Sequence, residues 1–197
     1  MQPTLDAQKA ALRAAIRAVL PPPASEAHRA ASESAQDRLA DSVLCSSAQV
    51  IALYRALPRE CSTSRIAARL IRLGKQVCFP AVHHDPGERV LRFRLAANDF
   101  VPGAHGIEEP TGDEIPLDRL ELVVVPAQAV DRQGHRLGRG KGYYDATLAA
   151  LPPTARRVAL VFESQLVAEV PVGEHDQPVH VVCTEARLLF CSPEAKE

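Results

Sequence analysis

The chain has 197 residues, 46% of them hydrophobic, which is enough to bury one compact core and too apolar for disorder over most of its length. A net charge of -1 and an aromatic content of 4% exclude the global basic field and the stacking surface that single-strand nucleic-acid binders use, leaving room only for a local basic pocket. The five cysteines (Cys45, Cys61, Cys78, Cys183, Cys191) contain no Cys-x-x-Cys pair and read as buried or incidental thiols, and no apolar run reaches the length of a membrane span.

Residues 4–20 carry Leu12, Ile16, Val19 and Leu20 at helical spacing behind Thr4, a suitable N-cap, and Pro21, Pro22 and Pro23 end the pattern. Lys9, Arg13 and Arg17 are spread through this Ala-rich stretch rather than set ahead of an apolar segment, which argues against a secretory signal and for a retained helix in a cytoplasmic protein. Lys9 and Arg13 are four apart, so they share a helix face and repel unless an anion lies between them.

Ser25 is placed to cap a second helix reaching about residue 43, with Leu39, Val43 and Leu44 on one side. Residues 48–54 read as a buried strand. Ser62 or Thr63 then starts a helix with Ile66, Leu70 and Ile71 inward and Gly74 placed to stop it, and 76–82 returns to strand. Residues 90–95 alternate like a half-exposed strand, whereas 96–116, rich in Gly, Pro and acidic residues, is expected to be one long loop of the size that often carries function. The apolar run 121–125 ends at Pro126, residues 141–151 have helical character before Pro152 and Pro153, and strands are expected at 157–162, 179–183 and 186–190. Helices alternating with apolar strands predict one α/β domain over residues 1–197, its largely parallel sheet covered on both faces.

The densest signal is residues 136–145, Arg-Leu-Gly-Arg-Gly-Lys-Gly-Tyr-Tyr-Asp. Gly138, Gly140 and Gly142 alternate with Arg139 and Lys141, so a backbone able to take φ > 0 turns N–H groups inward while two cations close on the same anion. Asp145 follows at once, and a carboxylate beside a phosphate cradle calls for a divalent cation between them. The spacing is neither the dinucleotide fingerprint, which needs Gly where Tyr143 stands, nor a P-loop, which needs Ser or Thr where Gly142 stands, and the segment does not directly follow an expected strand.

Five blocks in order, Lys9 to Arg13, Tyr54 to Glu60 with Ser62 and Thr63, Gly106 to Pro110, residues 136–145, and His175 and Asp176 with Thr184 and Glu185, resemble the 5-formyltetrahydrofolate cyclo-ligase (methenyltetrahydrofolate synthetase) family. The resemblance implies a three-layer α/β/α sandwich related to sugar-phosphate isomerases and CoA transferases, and conversion of 5-formyltetrahydrofolate and ATP to 5,10-methenyltetrahydrofolate, ADP and phosphate. It places Lys9, Arg13, Arg136, Leu137, Gly138, Arg139, Gly140, Lys141, Gly142, Tyr143 and Tyr144 on ATP. Arg55, Glu60, Arg139, Gly140, Lys141, Gly142 and Tyr143 fall on the folate, and Asp145 and Asp176 on Mg²⁺. Arg139 and Lys141 are the candidates for stabilising the transferring phosphoryl group. Glu60 either accepts hydrogen bonds from the pterin's donor edge or caps the helix after it.

The chain departs from the family's pattern at Ala127 and Val130, where Gly and Phe are usual, and at His180, where an Asp often stands; His180 is expected to be a hydrogen-bonded strand histidine rather than a ligand. The implied partners are small molecules, with neither nucleic acid nor membrane, and the expected state is a monomer or weak homo-oligomer. Two alternatives stay open: a paralogue of the same fold acting on another small metabolite, such as a thiamine-related one, and a non-catalytic nucleotide- or RNA-binding module.

Overall fold

The computed structural model describes residues 3–81, 87–96, 100–103 and 107–191. Helix α1 (Leu5–Val19) begins where Thr4 accepts the Ala7 N–H at 3.3 Å, and α2 (Glu26–Ala40) where Ser25 accepts that of His28 at 3.1 Å. Helix α2 stops short of residue 43, and a separate helix, α3 (Val43–Ser47), follows behind Ser42. The break turns Val43 outward, 66% exposed, while Leu44 is buried. In α4 (Ser64–Arg72) Ile66, Ala67 and Leu70 face the core, and Ile71, expected inward, lies about 100° further round the helix and is 48% exposed.

Eight strands form one mixed sheet whose centre is parallel: β1 (Val50–Ala52), β2 (Gln76–Ala81), β7 (Leu122–Val125), β10 (Arg156–Leu160) and β11 (Val181–Cys183). Its margins are antiparallel, with β3 (Arg92–Leu95) and β6 (Glu114–Ile115) beyond β2 and β12 (Leu188–Phe190) beyond β11. The expected loop at 96–116 instead contains β6 and a hairpin of β4 (Phe100–Pro102) and β5 (Glu108–Pro110). Strands of two or three residues among Pro and Glu are too short for alternation to register in sequence. Val82, residues 97–99 and Gly106, all part of sequence expectations, lie outside the described residues.

The pleat splits the apolar residues of the central strands between two cores. Ile51, Val77, Leu122, Val124, Val158 and Val181 pack with α2, α3 and α4 on one face. Ala52, Cys78, Val123, Val125, Ala159 and Val182 pack on the other with Leu148 of α5 (Tyr143–Ala150). Helices thus cover both faces, as the apolar strand pattern predicts. A third, smaller core joins Ile16 of α1 to Ala129 and Leu137 of a hairpin, β8 (Ala129–Val130) and β9 (Arg136–Leu137), and to Val170. The carboxylate of Asp131, 1% exposed, fastens this hairpin by accepting the N–H groups of Gln133, His135 and Val170.

Candidate active site

Strand β1 has β2 on one side and β7 on the other, so the direction in which the chain adds strands reverses at β1. Open α/β sheets bind ligands outside the carboxyl ends of the strands at such a point. A cavity of ≈ 420 Å³ lies there, walled by Tyr54, Arg55, Leu57 and Glu60 after β1, Pro80 late in β2, Pro126, Ala127 and Gln128 after β7, and by Arg136, Gly138 and residues 139–145. Leu91, Ile107 and Glu109 complete it.

Strand β9 runs straight into Gly138, so the glycine segment does follow a strand; its two residues were too few to be read from sequence. Gly140 and Gly142 take φ values of +89° and +75°, the left-handed conformation that the alternating glycines suggest. Gly142 is also the N-cap of α5, which puts Asp145 in the first turn, where a carboxylate suits the positive end of the helix dipole.

Most of the cations named from sequence already hold a carboxylate. Lys9 Nζ lies 2.5 Å from Asp176 Oδ2, Arg136 Nη2 2.8 Å from Asp145 Oδ1, and Arg139 Nε 3.2 Å from Glu60 Oε1, while Arg55 pairs with Glu108 and stacks 4.5 Å from the Phe100 ring. The anion that the Lys9 and Arg13 face requires is therefore Asp176 for Lys9; Arg13 Nε instead donates to the Gly138 carbonyl at 3.0 Å. Glu60 does not cap α4. Its Oε2 accepts the N–H of Leu57 at 2.8 Å, which holds Oε1 toward Arg139 across the cavity.

Arg136 is the buried pivot of this charge array, its side chain 2% exposed and its Nε without a partner among the described residues. Burial lowers its pKa, and Asp145 and Asp176 oppose that shift. Asp176 is itself partly buried, which would raise its carboxyl, yet the Lys9 and Gly173 hydrogen bonds bring it below the usual range. Burial, with Glu60 nearby, pushes the Tyr144 phenol up, so it stays a protonated donor at the cavity wall. Tyr143 lines the same wall, whereas the side chain of Leu137 points into the small core and leaves only its backbone for a ligand.

The carboxylates fit Mg²⁺ in one form only. Asp145 Oδ1 accepts from Arg136 and the Gln177 N–H, and Asp176 Oδ2 from Lys9 and the Gly173 N–H, so each has a second oxygen with no hydrogen-bond partner among the described residues. Among those residues no group of three or more His, Cys, Asp or Glu side chains converges. Two carboxylates suit a magnesium ion that also takes phosphate and water oxygens, not an all-protein cage. His180 is hydrogen-bonded as expected, its Nδ1 accepting the Arg157 N–H at 3.1 Å, but it stands just before β11 rather than on a strand.

Residues 5–185 match the 5-formyltetrahydrofolate cyclo-ligase family. A 5-formyltetrahydrofolate cyclo-ligase of Mycolicibacterium smegmatis is 31% identical over 147 residues, covering 72% of this chain and 76% of that protein. The chain belongs to the 5-formyltetrahydrofolate cyclo-ligase family. A second cyclo-ligase, from Escherichia coli K12, is 31% identical over 146 residues, covering 72% of this chain and 80% of its own. In fold, the chain matches the NMR structure of Aquifex aeolicus 5,10-methenyltetrahydrofolate synthetase with a TM-score of 0.78 at 23% identity, over 96% of this chain and 94% of that one. Most of the blocks read from sequence converge in space: those after β1 and the glycine segment share the cavity, and Lys9, Arg13 and Asp176 sit beside it, whereas Thr184 and Glu185 bond to Glu163 and do not line it.

Tyr54, Leu57, Pro80, Leu91, Ile107, Glu109, Pro126, Ala127 and Gln128 were not assigned to the site from sequence. For Pro126 a signal existed, since it ends the apolar run of a central parallel strand, the place where such sheets bind ligands. Tyr54, Leu57, Ile107 and Glu109 fall inside blocks that resemble the family and Ala127 is one of its departures, whereas Pro80, Leu91 and Gln128 come from scattered segments and carry no local mark.

Proposed function

We propose that this chain converts 5-formyltetrahydrofolate and ATP to 5,10-methenyltetrahydrofolate, ADP and phosphate, within a single domain kin to the sugar-phosphate isomerase and CoA transferase sandwiches. The observation that carries this reading is the Arg139 to Glu60 contact, which joins the glycine segment to the wall after β1 across one cavity. A phosphate-holding segment and a pterin-sized, largely apolar pocket are then neighbours, as direct transfer between two substrates requires.

An N-formyl oxygen is a poor leaving group until it is phosphorylated. In this reading the formyl oxygen attacks the γ-phosphorus and ADP leaves; the neighbouring folate amine then closes on the activated carbon, losing its proton as phosphate departs. The chain's part is positioning and charge. Arg139 and Lys141 neutralise the transferring group, Arg139 as a bidentate fork and Lys141 as a point charge, and the N–H groups around Gly140 and Gly142 face the phosphate oxygens. Lys9 and Arg13 hold the rest of the nucleotide. Glu60 takes the pterin's donor edge once Arg139 turns to phosphate, Arg55 contacts the folate, and the Tyr144 hydroxyl donates within the pocket. Asp145 and Asp176 would hold Mg²⁺, which screens charge on the phosphate oxygens.

Among the described residues no helix is long and apolar enough to cross a membrane, and the reading extends to a cytoplasmic enzyme, monomeric or weakly self-associating. Mixing the protein with 5-formyltetrahydrofolate and Mg-ATP should produce the near-ultraviolet absorbance of the methenyl product together with ADP. ATP binding without that absorbance would transfer the site to another small metabolite.

A further inference from the structure

Each glycine of the phosphate-holding segment lies against an arginine, and only at Gly142 would an added Cβ crowd the guanidinium. A Cβ on Gly138 would lie 3.6 Å from Arg136 Nη1, one on Gly140 3.6 Å from Arg13 Nη2, and one on Gly142 3.2 Å from Arg89 Nη1. Arg136 and Arg13 belong to the blocks that mark the family. Arg89 belongs to none of them. It lies between β2 and β3, two residues before the cavity residue Leu91, whose N–H donates to the Thr147 hydroxyl of α5 at 2.9 Å and so fixes this stretch against the helix that Gly142 starts.

Charge pairing separates the cations of the site into two sets. Lys9, Arg55, Arg136 and Arg139 each hold a carboxylate, whereas Arg13, Lys141 and Arg89 hold none among the described residues. Arg89 is solvent-exposed, with its guanidinium beside Gly142, a left-handed glycine of the cavity wall. Unpaired positive charges gathered along one backbone bend repel each other, and an incoming oxyanion relieves that repulsion.

The geometry points to Arg89 as an oxyanion-binding residue of this site, taking either a nucleotide phosphate or a carboxylate of the folate's glutamyl tail at the Gly142 end of the segment. The inference rests on the proposed reaction for the identity of those two ligands.

The test is calorimetric titration of wild type, Arg89→Ala, Arg89→Glu and Arg89→Lys with Mg-ATP, and separately with 5-formyltetrahydrofolate bearing one or three glutamates. Arg29→Ala, an exposed arginine of α2 outside the cavity, is the control. Arg89→Ala should weaken one ligand roughly three- to tenfold, Arg89→Glu more, with partial rescue by Lys and a difference that shrinks as salt is raised. A loss confined to Mg-ATP assigns the anion as phosphate; a loss confined to the folate, larger for the triglutamate, assigns it as carboxylate. Wild-type affinities retained in Arg89→Glu would overturn the inference and leave the reaction standing. A wild-type protein that binds neither ligand would overturn both.

Discussion

The cavity wall formed by residues 136–145 is one unbroken segment carrying Arg136, Arg139, Lys141 and Asp145, whereas the facing wall gathers Tyr54, Leu57, Pro80, Leu91, Ile107 and Pro126 from separated strands and loops. The first concentrates charge and left-handed backbone in one place; the second supplies apolar shape and is anchored by the two cores. Chemistry that depends on several charges acting together is easily held by one short segment, while a pocket's shape has to be assembled by the tertiary fold. Damage to the two walls should therefore separate experimentally, with loss of turnover or nucleotide affinity on one side and loss of stability on the other.

The largest effect is expected at the charged wall. Asp145→Ala strips the buried Arg136 of its partner, so the rate should fall about 100-fold or more and urea unfolding should show a loss on the order of 2 kcal/mol, below the fully buried range because Asp145 is partly exposed. An undiminished rate would remove Asp145 from the mechanism. Replacing Lys9 and Arg13 together by Ala should raise the KM for ATP by about tenfold and leave the KM for the folate unchanged, a split that steady-state kinetics reads directly. Parallel rises in both would mean that the two walls are coupled.

On the apolar side, the Tyr54 hydroxyl donates toward two carbonyls, Cys61 at 2.6 Å and Leu160 at 3.2 Å. Tyr54→Phe should cost about 1 kcal/mol in a urea melt without moving the KM for ATP. The smallest effect belongs to His180. Burial, reinforced by Arg157 and Arg156, lowers its pKa from 6.5, so below that value the unfolded chain binds more protons than the folded one. Its stabilising contribution is complete above pH 6.5 and is lost as pH falls through the lower folded value. The melting temperature should drop on acidification from about pH 7 to about pH 5, and less steeply in His180→Gln. Equal slopes would assign the drop to other groups.

The same contrast explains what sequence could reveal. Caps at Thr4 and Ser25, the apolar runs of the central strands and the glycine segment are local signals, and each is found where it was expected. Four of the cysteines are buried, as expected, and Cys191 is partly so; burial pushes Cys45 and Cys191 up to about 11 and Cys61, Cys78 and Cys183 to about 12, which favours the protonated thiol near neutral pH. What escaped is either too short or too distant. The two-residue strands β6, β8 and β9 carry no period, and Val43 and Ile71 look inward until the helix break and the helix phase are known. Lys9 meets Asp176 across 167 positions and Arg139 meets Glu60 across 79, pairings that only the folded sheet creates.

Helix α1 buries only Ile16 completely, and at its functional end it is tethered by Lys9 to Asp176 and by Arg13 to the Gly138 carbonyl. Any polyanion that takes over these two side chains must first unclasp the helix, so measured affinity is the difference between new contacts and surrendered ones. Amide hydrogen exchange should report this trade: the opening turns of α1 exchange quickly in the free protein, far ahead of β1 and β7, and slow when an anion closes the gap between helix and glycine bend.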